Sequence, residues 1–221
     1  NATSDYNTAV GYQALSAVNG DGAAGSTAVG YKAGIAITDA TYSTAIGYQA
    51  LLAEDQGDKT TAIGAAVFEN QNNGTGDTGN TGVGYAAGYQ NVTGTNNTYI
   101  GSQSGMGASG QSNSNNTAVG KDALLAITTG DSNEVIGSGA GIALTAGSDN
   151  VIIGTAAGDL MTTTSNCTLI GKNAGGAMSA GQTTTNGTIC IGAQSGASIT
   201  SGDGNIAIGY QALAACDDGT S

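Results

Sequence analysis

The feature that most constrains this chain is one short phrase that occurs twelve times. A polar residue, often Thr, is followed by a residue that is mostly small, then by Val or Ile, then by Gly. Successive phrase glycines are 19, 17, 17, 20, 17, 19, 17, 17, 17, 21 and 17 residues apart. Repetition at a period of this size predicts a stack of similar units along one axis. The twelve are Gly11, Gly30, Gly47, Gly64, Gly84, Gly101, Gly120, Gly137, Gly154, Gly171, Gly192 and Gly209.

The composition excludes several other glycine-rich classes. Glycine accounts for 39 of 221 residues, but there is no Pro and no three-residue period, so the chain is not collagen. A disordered linker would not place Val or Ile before the same Gly twelve times. Only one Phe and no Trp are present, so the sequence predicts a thin core of Val, Ile, Leu and Ala.

The phrase predicts a short β-strand, because β-branched residues stand at every second position. Alternation places Thr and Val or Ile on one face, and the small residue and Gly on the other. We expect strands of about four to five residues, with Val and Ile buried. Such strands are stable only when they stack in register, and twelve of them would form a rod of about 55 Å.

These patterns predict an all-β fold: a parallel β-solenoid or β-roll of about 12 rungs of 17–21 residues each. One repeat-array domain covers residues 1–221, and both ends read as interrupted repeats, so we expect a fragment of a longer fibre protein. The extra residues of the longer rungs fall between phrases, at 16–25, 69–79 and 176–187, which predicts a corner that carries outward loops.

The phrase Gly has two interpretations. It supplies a positive φ at a corner, or it allows close approach of a second backbone. We favour close approach, because the small residue of the phrase lies on the same side of the strand. A flat side of this kind would pack against another chain around an axis.

The charge argues against several partners. Four Lys and sixteen Asp or Glu give a formal net charge of -12, which repels nucleic acid and anionic membranes. No run of about 18 apolar residues exists, so we predict no membrane insertion.

The chain has three cysteines, an odd number, and their spacing is not that of metal ligands: Cys167, Cys190 and Cys216. They are interpreted as small fillers, with an interchain disulfide as the alternative.

The chain lacks the usual catalytic groups. It has no His and no Arg, and Ser104 and Ser195 stand at ordinary repeat positions. We therefore predict no enzyme, no cofactor and no metal. Acidic residues recur six positions before a phrase Gly, where we interpret them as turn-forming rather than as calcium ligands. They are Asp5, Asp58, Asp131 and Asp203.

Two columns of side chains suggest surface contacts. Thr stands three residues before the phrase Gly in seven consecutive rungs. Such a column suggests ice binding as a function, although hydrogen bonding between stacked hydroxyls within the sheet explains the same residues. Tyrosines that directly follow the phrase Gly offer ring faces to a glycan, or shield the sheet edge, or lie in an interface between chains. These candidate contact residues are Tyr12, Tyr31, Tyr48, Tyr85 and Tyr210.

The repeat resembles two known families over nearly the whole chain. Segments 7–15, 43–51 and 205–213 resemble repeats of bacteriophage tail fibres that precede a self-cleaving chaperone domain. The Ala-Ile-Gly kernel is similar to the head repeats of trimeric autotransporter adhesins, which are left-handed parallel β-rolls. Those head repeats are shorter than 17–21 residues, and this sequence contains neither a chaperone domain nor a membrane anchor.

The resemblance implies a left-handed homotrimeric fibre on a virion or a cell surface. Its function would be structural, as a tail-fibre or appendage shaft that contributes to attachment on a host glycan or protein. End-to-end assembly of copies is a further expectation. The alternatives are a bacterial secreted adhesin or extracellular filament and, less favoured, an ice-binding protein.

Overall fold

All the regular structure that the computed structural model describes is β, over residues 6–18, 23–74, 76–178 and 185–214. No described residue lies in a helix that could cross a membrane. The strands are β1 (Thr8–Val10), β2 (Thr27–Val29), β3 (Thr44–Ile46), β4 (Gly57–Asp58), β5 (Thr61–Ile63), β6 (Gly76–Asp77), β7 (Thr81–Val83), β8 (Thr98–Ile100), β9 (Thr117–Val119), β10 (Glu134–Ile136), β11 (Val151–Ile153), β12 (Thr168–Ile170), β13 (Ile189–Ile191) and β14 (Ile206–Ile208).

Twelve of these strands form one parallel sheet in the order β1-β2-β3-β5-β7-β8-β9-β10-β11-β12-β13-β14. Each phrase pairs with the next without a slip, as where Thr8 faces Thr27 and Val10 faces Val29. The predicted parallel β-solenoid is therefore confirmed. It has about eleven turns rather than twelve, because each turn runs from one phrase strand to the next. At the usual strand spacing the sheet is about 53 Å long.

The phrase strands are three residues long, shorter than the predicted four to five. All twelve phrase glycines have φ between +123° and +140°, and this conformation ends the strand at a corner. Hydrogen bonds between turns continue beyond the corner. Lys32 N donates to Tyr12 O at 2.8 Å, and Gln49 N donates to Tyr31 O at 2.9 Å.

The orientation of the strands corrects the predicted core. The middle residue of the phrase points inward, so that Ala28 and Ala62 are fully buried. The Val or Ile beside it points outward, and Ile136 is 45% exposed. The prediction that these Val and Ile are buried is wrong, because the interior of so narrow a coil also receives side chains from its other walls. In most turns only a small residue fits beneath the strand.

The turn segments supply most of the large core side chains. A large residue in one wall faces glycine in another: a Cβ on Gly105 would collide with the Tyr99 ring, and one on Gly175 would lie 2.9 Å from Leu169 Cδ1. The core therefore keeps a nearly constant volume from turn to turn. The largest fully buried side chains are Tyr99, Phe68, Ile37, Leu51, Leu124, Ile127, Leu144, Ile152, Met161, Leu169, Met178 and Ile199.

The phrase Gly satisfies both interpretations at once. Its φ is positive, and in eleven turns a Cβ would lie within 2.7 Å of the carbonyl oxygen of the next phrase Gly. The second backbone is the next turn of the same chain. The prediction that this side packs against another chain is wrong, because the small-residue side of the strand faces the core and is not a surface.

A buried ladder of asparagines follows the axis four residues before the phrase Gly. Asn133 Nδ2 donates to Asn116 Oδ1 at 3.0 Å and to Gly147 O at 3.0 Å. Its Oδ1 accepts bonds from Asn150 N at 3.2 Å and Asn150 Nδ2 at 2.9 Å. Asn133 thus links three turns, which satisfies polar groups that would be costly to bury alone. The ladder comprises Asn80, Asn97, Asn116, Asn133 and Asn150.

We predict that Gly137→Ala destabilises the solenoid by about 1–3 kcal/mol more than Gly209→Ala. Both residues have positive φ, so both variants incur backbone strain. Gly137 differs from Gly209 because its new Cβ would meet the next turn, whereas no described residue lies within 4 Å of a Cβ built on Gly209. Urea unfolding of the two variants and the parent measures the difference. Equal losses would contradict the role assigned to the close approach.

Candidate binding surfaces

The outward side of the twelve-stranded sheet is a regular surface that follows the whole sheet. We call it the strand face, formed by the first and third residues of each phrase strand. Its apolar column comprises Val10, Val29, Ile46, Ile63, Val83, Ile100, Val119, Ile136, Ile153, Ile170, Ile191 and Ile208. Seven of these side chains are exposed, so the column is an accessible apolar stripe along the described part of the rod.

The threonine column lies beside the apolar column on the strand face. Its seven consecutive members run from Thr8 in β1 to Thr117 in β9, and all are exposed or half-buried. Glu134 and Val151 then replace threonine, as do Ile189 and Ile206 nearer the other end. The later part of the face is therefore mostly apolar across both columns.

The tyrosine column lies just past the glycine corner, outside the strand face. The rings of Tyr12 and Tyr31 stack with centroids 5.5 Å apart, and those of Tyr31 and Tyr48 with centroids 5.3 Å apart. The planes differ by only 12° and 10°, so the rings face along the rod axis. Tyr85 and Tyr210 are exposed members of the same column, at 59% and 73%. The structure thus brings together three of the five predicted contact residues.

The tyrosine column is interrupted at Ala65, which takes the tyrosine position in the turn between Tyr48 and Tyr85. The missing ring leaves a surface groove of about 450 Å³, which we call the tyrosine groove. Its floor is formed by Ala66 and Ala86, which stand one position further along their turns. The tyrosines were predicted as contact residues but the groove was not, although the change from Tyr to Ala in this column marks its position in the sequence.

The rim of the tyrosine groove carries several polar groups beside the apolar side chain of Met106. Gln49 and Gln103 replace the floor alanines at the two ends, and Glu69 and Tyr89 lie in the wall opposite the tyrosine column. The Tyr89 hydroxyl donates to Glu69 Oε1 at 3.5 Å. Partial burial raises the pKa of the Glu69 carboxyl, and the hydrogen bond from Tyr89 opposes that shift. Glu69 is the only charged residue in the lining.

The acidic residues six before the phrase Gly stabilise turns. Asp58 Oδ1 accepts a hydrogen bond from Thr41 N at 2.5 Å, and Asp131 Oδ1 accepts one from Ser114 N at 2.6 Å. Asp203 Oδ1 accepts one from Asn186 N at 2.8 Å, whereas Asp5 lies outside the described residues. Each carboxylate therefore caps a backbone N–H of the preceding turn. Among the residues described, no group of three His, Cys, Asp or Glu could hold a metal ion.

A buried polar cluster replaces apolar core residues next to β4. Glu54 is fully buried, and its carboxylate accepts bonds from Gly57 N at 2.7 Å and from Gln71 Nε2 at 3.0 Å. Gln71 Oε1 in turn accepts a bond from Asn80 Nδ2 at 2.9 Å. The carboxylate therefore has partners without a counterion, which indicates a structural role. The cluster was not predicted, although Glu54 stands where other turns carry Ile, as at Ile37.

Ser104 and Ser195 are buried and serve the fold. Ser104 Oγ donates to Ala118 O at 2.8 Å, and Ser195 Oγ donates to Gly192 O at 2.8 Å. Cys167 and Cys190 are free, buried thiols. Their positions fit the filler interpretation and remove them from contact with another chain, while Cys216 lies outside the described residues.

Comparison with known proteins identifies no relative of this chain. No protein-family model matches it, and neither the curated proteins nor the solved structures contain a match. The resemblance to tail-fibre and autotransporter repeats therefore remains a prediction from the repeat itself.

We predict that Cys167 and Cys190 resist thiol reagents in the native protein. Burial raises the pKa of Cys190 to about 11 and also raises the pKa of Cys167, so both stay protonated near about pH 8. In a Cys216→Ser variant, a dithiobenzoate reagent should therefore label two thiols only after denaturant is added. Rapid labelling without denaturant would contradict the described burial.

The same burial predicts a pH dependence of stability. An unfolded Cys190 loses its proton near its ordinary pKa of 9.0, whereas the folded thiol keeps it up to about 11. The unfolded state therefore binds fewer protons in this window, and the free energy of unfolding falls as the pH rises through it. Cys190→Ala, which restores the commonest residue of that column, should show a shallower fall in urea unfolding.

Proposed function

We propose that this chain is a stiff structural segment of an extracellular or virion fibre that contributes to attachment on a host surface. The observation that carries the proposal is the strand face: twelve strands in unbroken register with an outward column of Val and Ile. A rod about 53 Å long with one continuous apolar stripe suits lateral association along its length.

The occupant of the strand face, in this proposal, is further copies of the same chain. An apolar stripe of this length is exposed in one chain, and large exposed apolar patches usually mark interfaces. Identical rods with the same repeat can align turn by turn around a common axis, as cyclic oligomers do. The resemblance to trimeric autotransporter heads favours three copies, and a net charge of -12 on each rod keeps the finished fibre soluble.

The alternative in the same class is a secreted bacterial adhesin or extracellular filament. Both proposals need the same rod, and they differ in what the gene encodes beyond this segment. A self-cleaving chaperone domain after the segment would favour a tail fibre, whereas a membrane anchor would favour the adhesin. Sequencing the full gene decides between them.

Ice binding is a second candidate, favoured by the outward position of seven consecutive threonines. The loss of threonine at Glu134, Val151, Ile189 and Ile206 argues for association instead, because the later half of the face lacks regular hydroxyls. Thermal hysteresis of the purified protein is the direct test. A clear hysteresis that disappears in a Thr44→Lys variant would favour ice binding over the fibre.

We predict a mass in solution of about 64 kDa, three times the 21.2 kDa of one chain. Light scattering coupled to size-exclusion chromatography measures it. Ile136→Lys should shift the mass toward that of one chain, because a symmetric trimer would receive three ammonium groups in one apolar layer. Circular dichroism should stay unchanged, since Ile136 is 45% exposed in the single chain.

The matched control is Leu160→Lys, which changes a side chain of similar exposure, 51%, outside the strand face. It should leave the mass at the trimer value. A parent protein that stays monomeric, or equal behaviour of the two lysine variants, would contradict association through the strand face.

A further inference from the structure

We propose that the tyrosine groove binds one neutral pyranose ring of a glycan between Tyr48 and Tyr85. This inference deepens the proposed attachment function and rests on it for its biological meaning. The binding itself is a property of the groove and can be measured whether the chain is a monomer or a trimer. Neither Tyr48 nor Tyr85 belongs to the strand face, and both side chains are exposed in the single chain, at 55% and 59%.

The spacing of the groove fits a single ring. Tyrosines in adjacent turns stack at 5.3 to 5.5 Å, so rings two turns apart are separated by about 10 Å. A ring placed midway would lie about 5 Å from each neighbour, within the range of favourable ring contacts. Ala65 stands in place of one tyrosine of the column and thereby leaves one vacant ring position. A ring in that position would lie with its plane perpendicular to the rod axis, as the stacked tyrosines do.

The chemistry of the groove matches the two kinds of surface on a sugar. A pyranose has apolar C–H faces, which suit the faces of Tyr48 and Tyr85, and hydroxyls around its edge. Gln49, Gln103 and Glu69 stand around that edge with amide donors and acceptors and a carboxylate acceptor. A purely apolar ring would gain no hydrogen bonds from these polar groups, whereas the hydroxyls of a sugar would, which favours the sugar.

The charge of the groove selects among sugars. Glu69 is the only charged lining residue, and the whole chain carries a formal net charge of -12. A sialic acid or a uronic acid would bring a second carboxylate near Glu69 with no cation to offset the repulsion. The ligand class is therefore neutral hexoses and N-acetylhexosamines. The volume of about 450 Å³ lies within the range of small-ligand pockets, so a second linked sugar has room beside the first.

The test uses methyl glycosides of glucose, galactose, mannose and N-acetylglucosamine, alone and as disaccharides, with saturation-transfer NMR and calorimetry as readouts. We expect at least one neutral glycoside to bind the full chain. Ala65→Tyr should weaken that binding at least about tenfold, because the added ring occupies the vacant position. Its melting temperature should equal or exceed that of the parent, since the variant adds ring contacts to Tyr48 and Tyr85.

Ala193→Tyr is the matched control, because Ala193 also follows a phrase Gly but lies far from the groove. It should bind the glycoside as the parent does. Tyr48→Ala and Tyr85→Ala should each weaken binding at least about tenfold, whereas Tyr12→Ala should have no effect. Equal affinity of Ala65→Tyr and Ala193→Tyr would overturn the proposal.

Three other outcomes would also overturn it. These are no binding by any neutral glycoside, tighter binding of N-acetylneuraminic acid or glucuronic acid than of neutral sugars, and binding of N-acetyltryptophanamide in place of sugars. The mass in solution is measured on the same samples. A trimer that binds no sugar would contradict only the groove proposal. A monomer that binds sugar would contradict only the proposed association.

Discussion

The close stacking of the phrase glycines is the constraint on which the rest of the solenoid depends. In eleven turns a Cβ on the phrase Gly would collide with the carbonyl oxygen of the phrase Gly in the next turn. The φ angle is positive at all twelve of these glycines. Gly is the residue that meets both demands at little cost. The corner fixes where each strand ends, and it aligns every other column because equivalent residues follow it at equal distances.

The asparagine ladder and the alternating core volumes build on that alignment. Asn80 to Asn150 link successive turns inside the coil through side-chain amides that are bonded on several sides. Large residues such as Tyr99 are accommodated because glycine stands opposite, at Gly105. A shift of one turn by a single residue would break both arrangements together, which explains why register is maintained despite turns of 17 to 21 residues.

The period of the repeat predicted the fold class, because twelve equivalent phrases admit few architectures other than a parallel stack. Local pattern could not predict which side of the strand faces inward: alternation alone treats the Ala28 side and the Val29 side as equal candidates. The answer depends on how much space the opposite walls leave, as with Leu51 and Phe68, and that is a property of the closed coil. The change from Tyr to Ala at Ala65 marks the place of the tyrosine groove in the sequence, but its opposite wall of Glu69 and Tyr89 comes beside it only in the closed coil.

The bonds between turns run parallel to the rod axis, and this direction has a mechanical consequence. Stretching the rod from its ends loads the last turn first, so the bonds of that turn carry the tension before those further in. The chain would then peel away coil by coil, each releasing about 56 Å of extended backbone for 17 residues. Such a rod would be stiff against bending yet would dissipate a sudden pull in many small steps.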